Sequence, residues 1–142
     1  MFVLIVGCGR AGSSLAKRLL DAGHTVSVMD ENAEAHNLLS VGLESTWEDA
    51  GGSFTVGTAL EIDALTEAGI EQADAFVAAT NGDNTNLVIA QIAQRRFDVP
   101  KVVVRVLDPL RANWYEQQGL ITICPTQAGI DMLTAAVTAE AV

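Results

Sequence analysis

Between the apolar run FVLIV and a segment of helical period, the chain carries VGCGRAGS, where Gly7, Gly9 and Gly12 take the places of a GxGxxG loop. The chemistry such a loop serves is anion binding. Gly7 permits a tight turn, Gly9 has no Cβ to block a diphosphate, and Gly12 lets the following helix lie close to the strand. The helix mouth then offers unpaired N–H groups and about half a positive charge to a phosphate. Asp30 closes the apolar stretch HTVSVMD eighteen residues after Gly12, near the ~20-residue offset at which a carboxylate accepts hydrogen bonds from an adenosine ribose. Glu31 follows and no Arg does, so a 2′-phosphate would meet negative charge. NAD(H), or an adenine nucleotide with free ribose hydroxyls, is therefore favoured over NADP(H). A purely structural tight turn is the plainer reading of the glycines, and a helix N-cap the plainer reading of Asp30.

A second polar cluster, AATNGDNTN, follows another apolar run. Thr80 and Asn81 are placed to hydrogen-bond a nucleotide, whereas Asp83 and Asn84 read as helix-capping residues. Arg105 stands near the end of KVVVRV. A charge in a buried strand is costly unless paired, so it should meet a carboxylate, a phosphate or a neighbouring subunit, with Asp108 or Asp83 as the simplest partner. Cys8, between the loop glycines, reads as a small packing residue, the alternative being a low-pKa thiol at a helix N-terminus. His24 and His36 have surface roles by default, and Met29 and Met132 are filler.

These residues need a scaffold, and the periodicity supplies one. Short β-branched runs at 2–6, 25–29, 54–56, 75–79, 102–106 and 120–123 alternate with helical segments at 11–22, 33–39, 59–68, 84–97, 109–118 and from about 127 to the end. That alternation predicts βαβ units and an α/β fold: a doubly wound, Rossmann-type parallel sheet of six strands with helices on both faces. Thr58 and Glu61 form a capping box, Asp108-Pro109 starts a helix, and Gly23 and Gly69 end helices. The polar segment ESTWEDAGGS, with Trp47 expected to be exposed, reads as a mobile surface insertion.

The 142 residues, 49% hydrophobic, suffice for one domain with its own core. A net charge of −10, with eight Lys and Arg scattered singly, argues against binding nucleic acid or an anionic membrane. Two cysteines without a CxxC pair indicate neither a disulfide framework nor a metal site, and fit the reducing cytosol. The opening apolar run breaks at Gly7, too short to span a bilayer, and reads as a strand rather than a signal peptide or membrane insertion.

Taken together, IVGCGRAGSSLAKRLLDAGHTVSVMDEN, ALTEAGIEQADAFVAATNGDNTNLVIAQIAQ and KVVVRVLDP resemble the N-terminal lobe of the regulator of potassium conductance family, also called RCK, KTN or TrkA-N. The likeness runs from Phe2 to about Thr126. It implies a nucleotide-binding lobe over residues 1–126 and a crossover or C-terminal helix over 127–142, with the smaller C-terminal lobe of the family absent. It further implies a cytosolic, peripherally held regulatory subunit that binds NAD(H), ATP or ADP, dimerises, assembles into rings and gates an integral-membrane potassium transporter or channel. The nucleotide-site residues expected on this basis are Gly7, Gly9, Arg10, Ala11, Gly12, Asp30, Glu31, Thr80, Asn81 and Arg105. The chain departs from the family in having Gly57-Thr58-Ala59 where Gly-Asp-Ala is usual, so an acidic contact near the adenine is missing. Ile130, Leu133 and Val137 mark an apolar stripe on the last helix, to be covered by a partner or by the chain's own sheet.

A regulatory subunit of this kind needs no catalytic group. The competing function is the cofactor-binding part of an NAD-dependent oxidoreductase. Hydride transfer would require a second region to bring substrate to the nicotinamide, and the six-stranded fold consumes the chain.

Overall fold

The computed structural model describes residues 1–141. Six strands, β1 (Phe2–Val6), β2 (Thr25–Asp30), β3 (Ser53–Val56), β4 (Ala75–Ala78), β5 (Lys101–Arg105) and β6 (Ile121–Ile123), form one parallel sheet in the order β3-β2-β1-β4-β5-β6. The helices are α1 (Arg10–Asp21), α2 (Asn37–Ser40), α3 (Ile62–Glu67), α4 (Asp83–Arg95), α5 (Pro109–Gln117) and α6 (Pro125–Thr138), with 3-10 turns at Ala33–His36 and Ile70–Gln72. This is the doubly wound α/β architecture expected. The chain leaves β1 in one direction to build β2 and β3, then returns to its other side for β4, β5 and β6. A crevice opens at the carboxyl ends of β1 and β4, where the winding reverses.

The pleat explains the two-sided core. Leu4, Val6, Met29, Phe76 and Val104 point to one face, against Leu65, Ile89, Ala90 and Tyr115. Val3, Ile5, Val26 and Val28 point to the other, against Ala16, Leu39 and Trp47. A strand buried on both faces reads as a continuous apolar run, as β1 does. Gly12 sets the approach of α1, because a Cβ there would overlap the Gly7 carbonyl oxygen.

Several local expectations are corrected. Trp47 is fully buried, and its Nε1 donates to the Ser53 carbonyl at 3.0 Å. A Cβ on Gly52 would overlap its indole. The segment before β3 is therefore a folded plug on the β2 side of the sheet rather than a mobile insertion, reinforced by His36, which pairs with Glu48 and stands edge-on to Phe54. The helix expected at 33–39 is a 3-10 turn running into the short α2. The capping box does not form. Thr58 Oγ1 accepts from the Leu60 amide at 3.3 Å, and α3 begins only after Glu61, because the turn before it lines the crevice.

Asp108 caps α5 as expected, accepting from the Leu110 amide at 2.9 Å. Asp83 caps no helix. Its carboxylate accepts from the Leu107 and Asp108 amides at 2.7 and 3.0 Å, tying the start of α4 to the loop after β5. Asn84 accepts from Arg111 Nη1 at 2.5 Å. No residue of α6 is buried, and Ile130, Leu133 and Val137 are 46%, 68% and 82% exposed, so the stripe does not pack on its own sheet. The helix expected to run to the end instead stops at Thr138, where Ala139 turns extended; of that expectation only residue 142 lies outside the described residues.

Trp47→Ala should destabilise the fold by about 3–5 kcal/mol, as deletion of a buried aromatic side chain does, measurable by urea unfolding. A loss below about 0.5 kcal/mol, typical of exposed positions, would restore the mobile-loop reading.

Candidate functional site

The turn after β1 is built by exclusion of side chains. Gly7 has φ of +107°, and a Cβ there would lie 2.5 Å from the Ala79 carbonyl oxygen of the neighbouring strand end. Its amide donates to the Met29 carbonyl at 2.9 Å, extending the sheet by one bond. Gly9 is the N-cap of α1, has no side-chain cap, and has open space where its Cβ would stand. The first helical bond runs from the Ser13 amide to the Gly9 carbonyl at 2.9 Å. The amides of Arg10, Ala11 and Gly12 consequently have no protein partner among the described residues. Three aligned donors at the positive end of a twelve-residue helix are an arrangement suited to an anion.

Asp30 faces this loop from the end of β2. Its Oδ2 accepts from the Cys8 amide at 2.8 Å and its Oδ1 from the Asn32 amide at 2.8 Å. The N-cap of the following turn is Asn32, which accepts from the Glu34 amide at 2.9 Å, so the capping role considered for Asp30 falls to its neighbour. Each carboxylate oxygen has two acceptor sites and spends one on the backbone. Capacity for a ligand hydroxyl remains on both.

On the other side of the crevice, Thr80 is committed inward. Its amide and its hydroxyl both donate to Asn86 Oδ1, at 3.0 and 2.6 Å, and its carbonyl accepts from Asn86 Nδ2 at 3.0 Å. Asn86 is fully buried on α4 and also donates to the Arg105 carbonyl at 2.9 Å. Arg105 Nη2 donates to the Thr80 carbonyl at 2.7 Å and to Asn81 Oδ1 at 3.1 Å. Neither Asp83 nor Asp108 pairs with Arg105, contrary to the simplest expectation, because Asp83 is occupied by two amides of the next loop.

A cavity of about 670 Å³ lies between these walls, within the ~300–1,000 Å³ range of small-molecule sites. Gly7, Gly9, Asp30, Glu31, Thr80 and Asn81 all line it; Arg10, Ala11, Gly12 and Arg105 do not. Ala35 and Leu38, not anticipated, help complete it, together with the Gly57-Thr58-Ala59 turn to which the resemblance drew attention. Asn86 was the unforeseen hub. Its signal was available, since an asparagine in register with Ile89, Ala90 and Ala93 on a buried helix face requires polar partners.

Cys8 also lines the cavity wall yet is 1% exposed, donating to the Ala35 carbonyl at 3.3 Å. Burial first, and the Asp30 carboxylate second, push its thiol from an ordinary value near 9 up to about 11. The packing reading holds, and the low-pKa alternative does not. A thiol protonated more firmly in the folded chain contributes stability below pH 9 that is lost as pH rises towards about 11. The melting temperature should fall over that window, with a smaller fall in Cys8→Ala; identical slopes in the two proteins would contradict the burial argument.

Comparison with known proteins fixes the family. The sequence model of the TrkA-N domain matches residues 3–125. A Trk system potassium uptake protein TrkA of Streptomyces coelicolor is 38% identical over 133 residues, covering 94% of this chain and 56% of that protein. The chain spans about half the length of the curated relatives it matches. Among solved structures, the Kef CTD of Shewanella denitrificans in AMP-bound form superposes with a TM-score of 0.76 at 23% identity, over 97% of this chain and 80% of that one. GsuK bound to ADP gives 0.78 at 19% identity, over 96% and 34%, and the GsuK channel bound to NAD gives 0.67 at 16%, over 87% and 21%. With its glycine turn, six-stranded winding and nearly full-length match, this chain belongs to the TrkA-N family.

Proposed function

We propose that this chain is the nucleotide-sensing part of a potassium uptake regulator, binding NAD(H), or ATP or ADP, in the crevice beside α1. The observation that carries the reading is the pairing of three unpartnered amides at the mouth of α1 with the Asp30 carboxylate on the facing strand end. Phosphates fit the first and ribose hydroxyls the second. Residues 1–126 are the nucleotide-binding lobe, and the segment from 127 onward is a crossover or C-terminal helix. The TrkA relative and the AMP, ADP and NAD complexes of similarly folded proteins support this assignment.

The function is regulatory rather than catalytic. Cys8, the thiol on the cavity wall, is protonated and bonded to a carbonyl, which favours reversible binding over covalent chemistry. A bound nucleotide acts by preferring one conformation of an assembly, and shifts the equilibrium only by its difference in affinity between the two. The proposed target is an integral-membrane potassium transporter or channel, approached from the cytoplasm. No helix among the described residues is long and apolar enough to cross a membrane. The uncovered stripe of α6 is the proposed contact with a second copy.

Glu31, exposed beside Asp30, sets the ligand preference. NADH or ADP should raise the melting temperature, worth ~2.7 kcal/mol at a hundredfold excess over Kd, while NADPH gives a smaller shift. Asp30→Asn should cut the shift at equal ligand concentration. A panel of NAD, NADH, NADPH, ATP, ADP and AMP that moves the melting temperature nowhere would overturn the proposal. For the assembly, sedimentation at micromolar concentration should show a dimer that Leu133→Asp dissociates; a wild-type monomer would remove the role given to α6.

A further inference from the structure

Arg105 lies behind the cavity wall, not in it, and its guanidinium is an unusual choice for that place. Its Nη2 holds the Thr80 carbonyl and Asn81 Oδ1, while its Nε is buried with no hydrogen-bond partner. A buried unpaired donor costs stability and calls for an explanation. Asn86 already holds the Thr80 peptide through its amide, hydroxyl and carbonyl. What Arg105 adds is therefore its grip on Asn81, an exposed residue of the cavity rim.

The chemistry of that grip has a direction. A guanidinium only donates, so the Asn81 amide must present its oxygen to Arg105 and keep its NH2 end for other partners. We infer that Arg105 is a positioning residue which, by engaging Asn81 Oδ1, turns the Asn81 side chain into a fixed hydrogen-bond donor towards an anionic ligand. This deepens the nucleotide reading and rests on it. The glycine turn that lines the same cavity leads into the unpartnered amides of α1. Asn81 Nδ2 then supplies a donor from the β4 side, and phosphate oxygens are met from two walls. A free asparagine could turn either end to the ligand; one anchored by a cation cannot. Arg105 thereby favours phosphate without spending its own charge on it.

The test is a double-mutant cycle on ADP affinity, measured by titration calorimetry. Wild type, Arg105→Met, Asn81→Ala and the double variant are compared, with circular dichroism and melting temperature of each unliganded protein as the folding control. Arg105→Met alone should weaken ADP by about tenfold, the scale of one charge-assisted hydrogen bond. It should have little further effect once Asn81 is alanine. Arg105→Lys, which keeps a donor, should recover part of the loss, and Asn81→Asp, which replaces the donor by a negative acceptor, should weaken ADP more than Asn81→Ala does. Additive losses, or an undiminished Arg105→Met effect in the Asn81→Ala background, would show that Arg105 acts on the ligand directly or on the fold alone. If Arg105→Met unfolds, the Asn81→Asp against Asn81→Ala comparison decides, and equal affinities overturn the inference. Wild-type protein that binds no ADP, NADH or ATP overturns the nucleotide reading itself and this inference with it, whereas binding with additive losses overturns the inference alone.

Discussion

The hydrogen bond from the Cys8 amide to Asp30 Oδ2 is the interaction on which the rest of the crevice depends. It joins the end of β2 to the turn leaving β1. The carboxylate is held close to a buried thiol, whose pKa it helps raise, and is oriented by a second amide from Asn32. With Asp30 fixed on two backbone donors, the positive mouth of α1 and the negative end of β2 keep a constant separation. Both can then meet one ligand without side-chain rearrangement, and preorganisation of this kind lowers the entropic cost of binding.

The sheet exists to hold that separation. Because β1 is central, flanked by β2 and β4, its carboxyl end is the one place where the loops before and after the reversal face each other. Gly7 and Gly12 bring strand, turn and helix within van der Waals contact, and neither position has room for a Cβ. The crevice is thus a by-product of winding, and the particular residues at the strand ends give it chemical character.

Much of this was legible in the residues themselves. All six strands announced themselves as β-branched runs between turn residues, and β1 matched to the residue. The glycine loop and Asp30 were legible because their spacing reflects backbone geometry, which does not depend on distant partners. What escaped depended on tertiary packing. Trp47 sits alone among polar neighbours, without periodicity to mark a buried face, and it is covered in the fold by the apolar cluster that holds Leu39 and by the Gly52 backbone. Thr58 and Glu61 satisfy the local rule for a cap, yet the turn they occupy is spent on the cavity wall. Asp83 looked like a helix cap because the amides it serves lie on another loop. Arg105 looked as though it needed Asp83 or Asp108, and its Nη2 instead holds a carbonyl and a side-chain amide.

The clasp between Asp83 and the amides of Leu107 and Asp108 has a mechanical result. Tyr115 closes it from α5 by donating to the Asp83 carbonyl at 2.8 Å. The loops after β4 and β5 therefore form a single stiff lip rather than two independent flaps. Asn81 and Gly82, which line the crevice, are thereby tied through Asp83 to the base of α5.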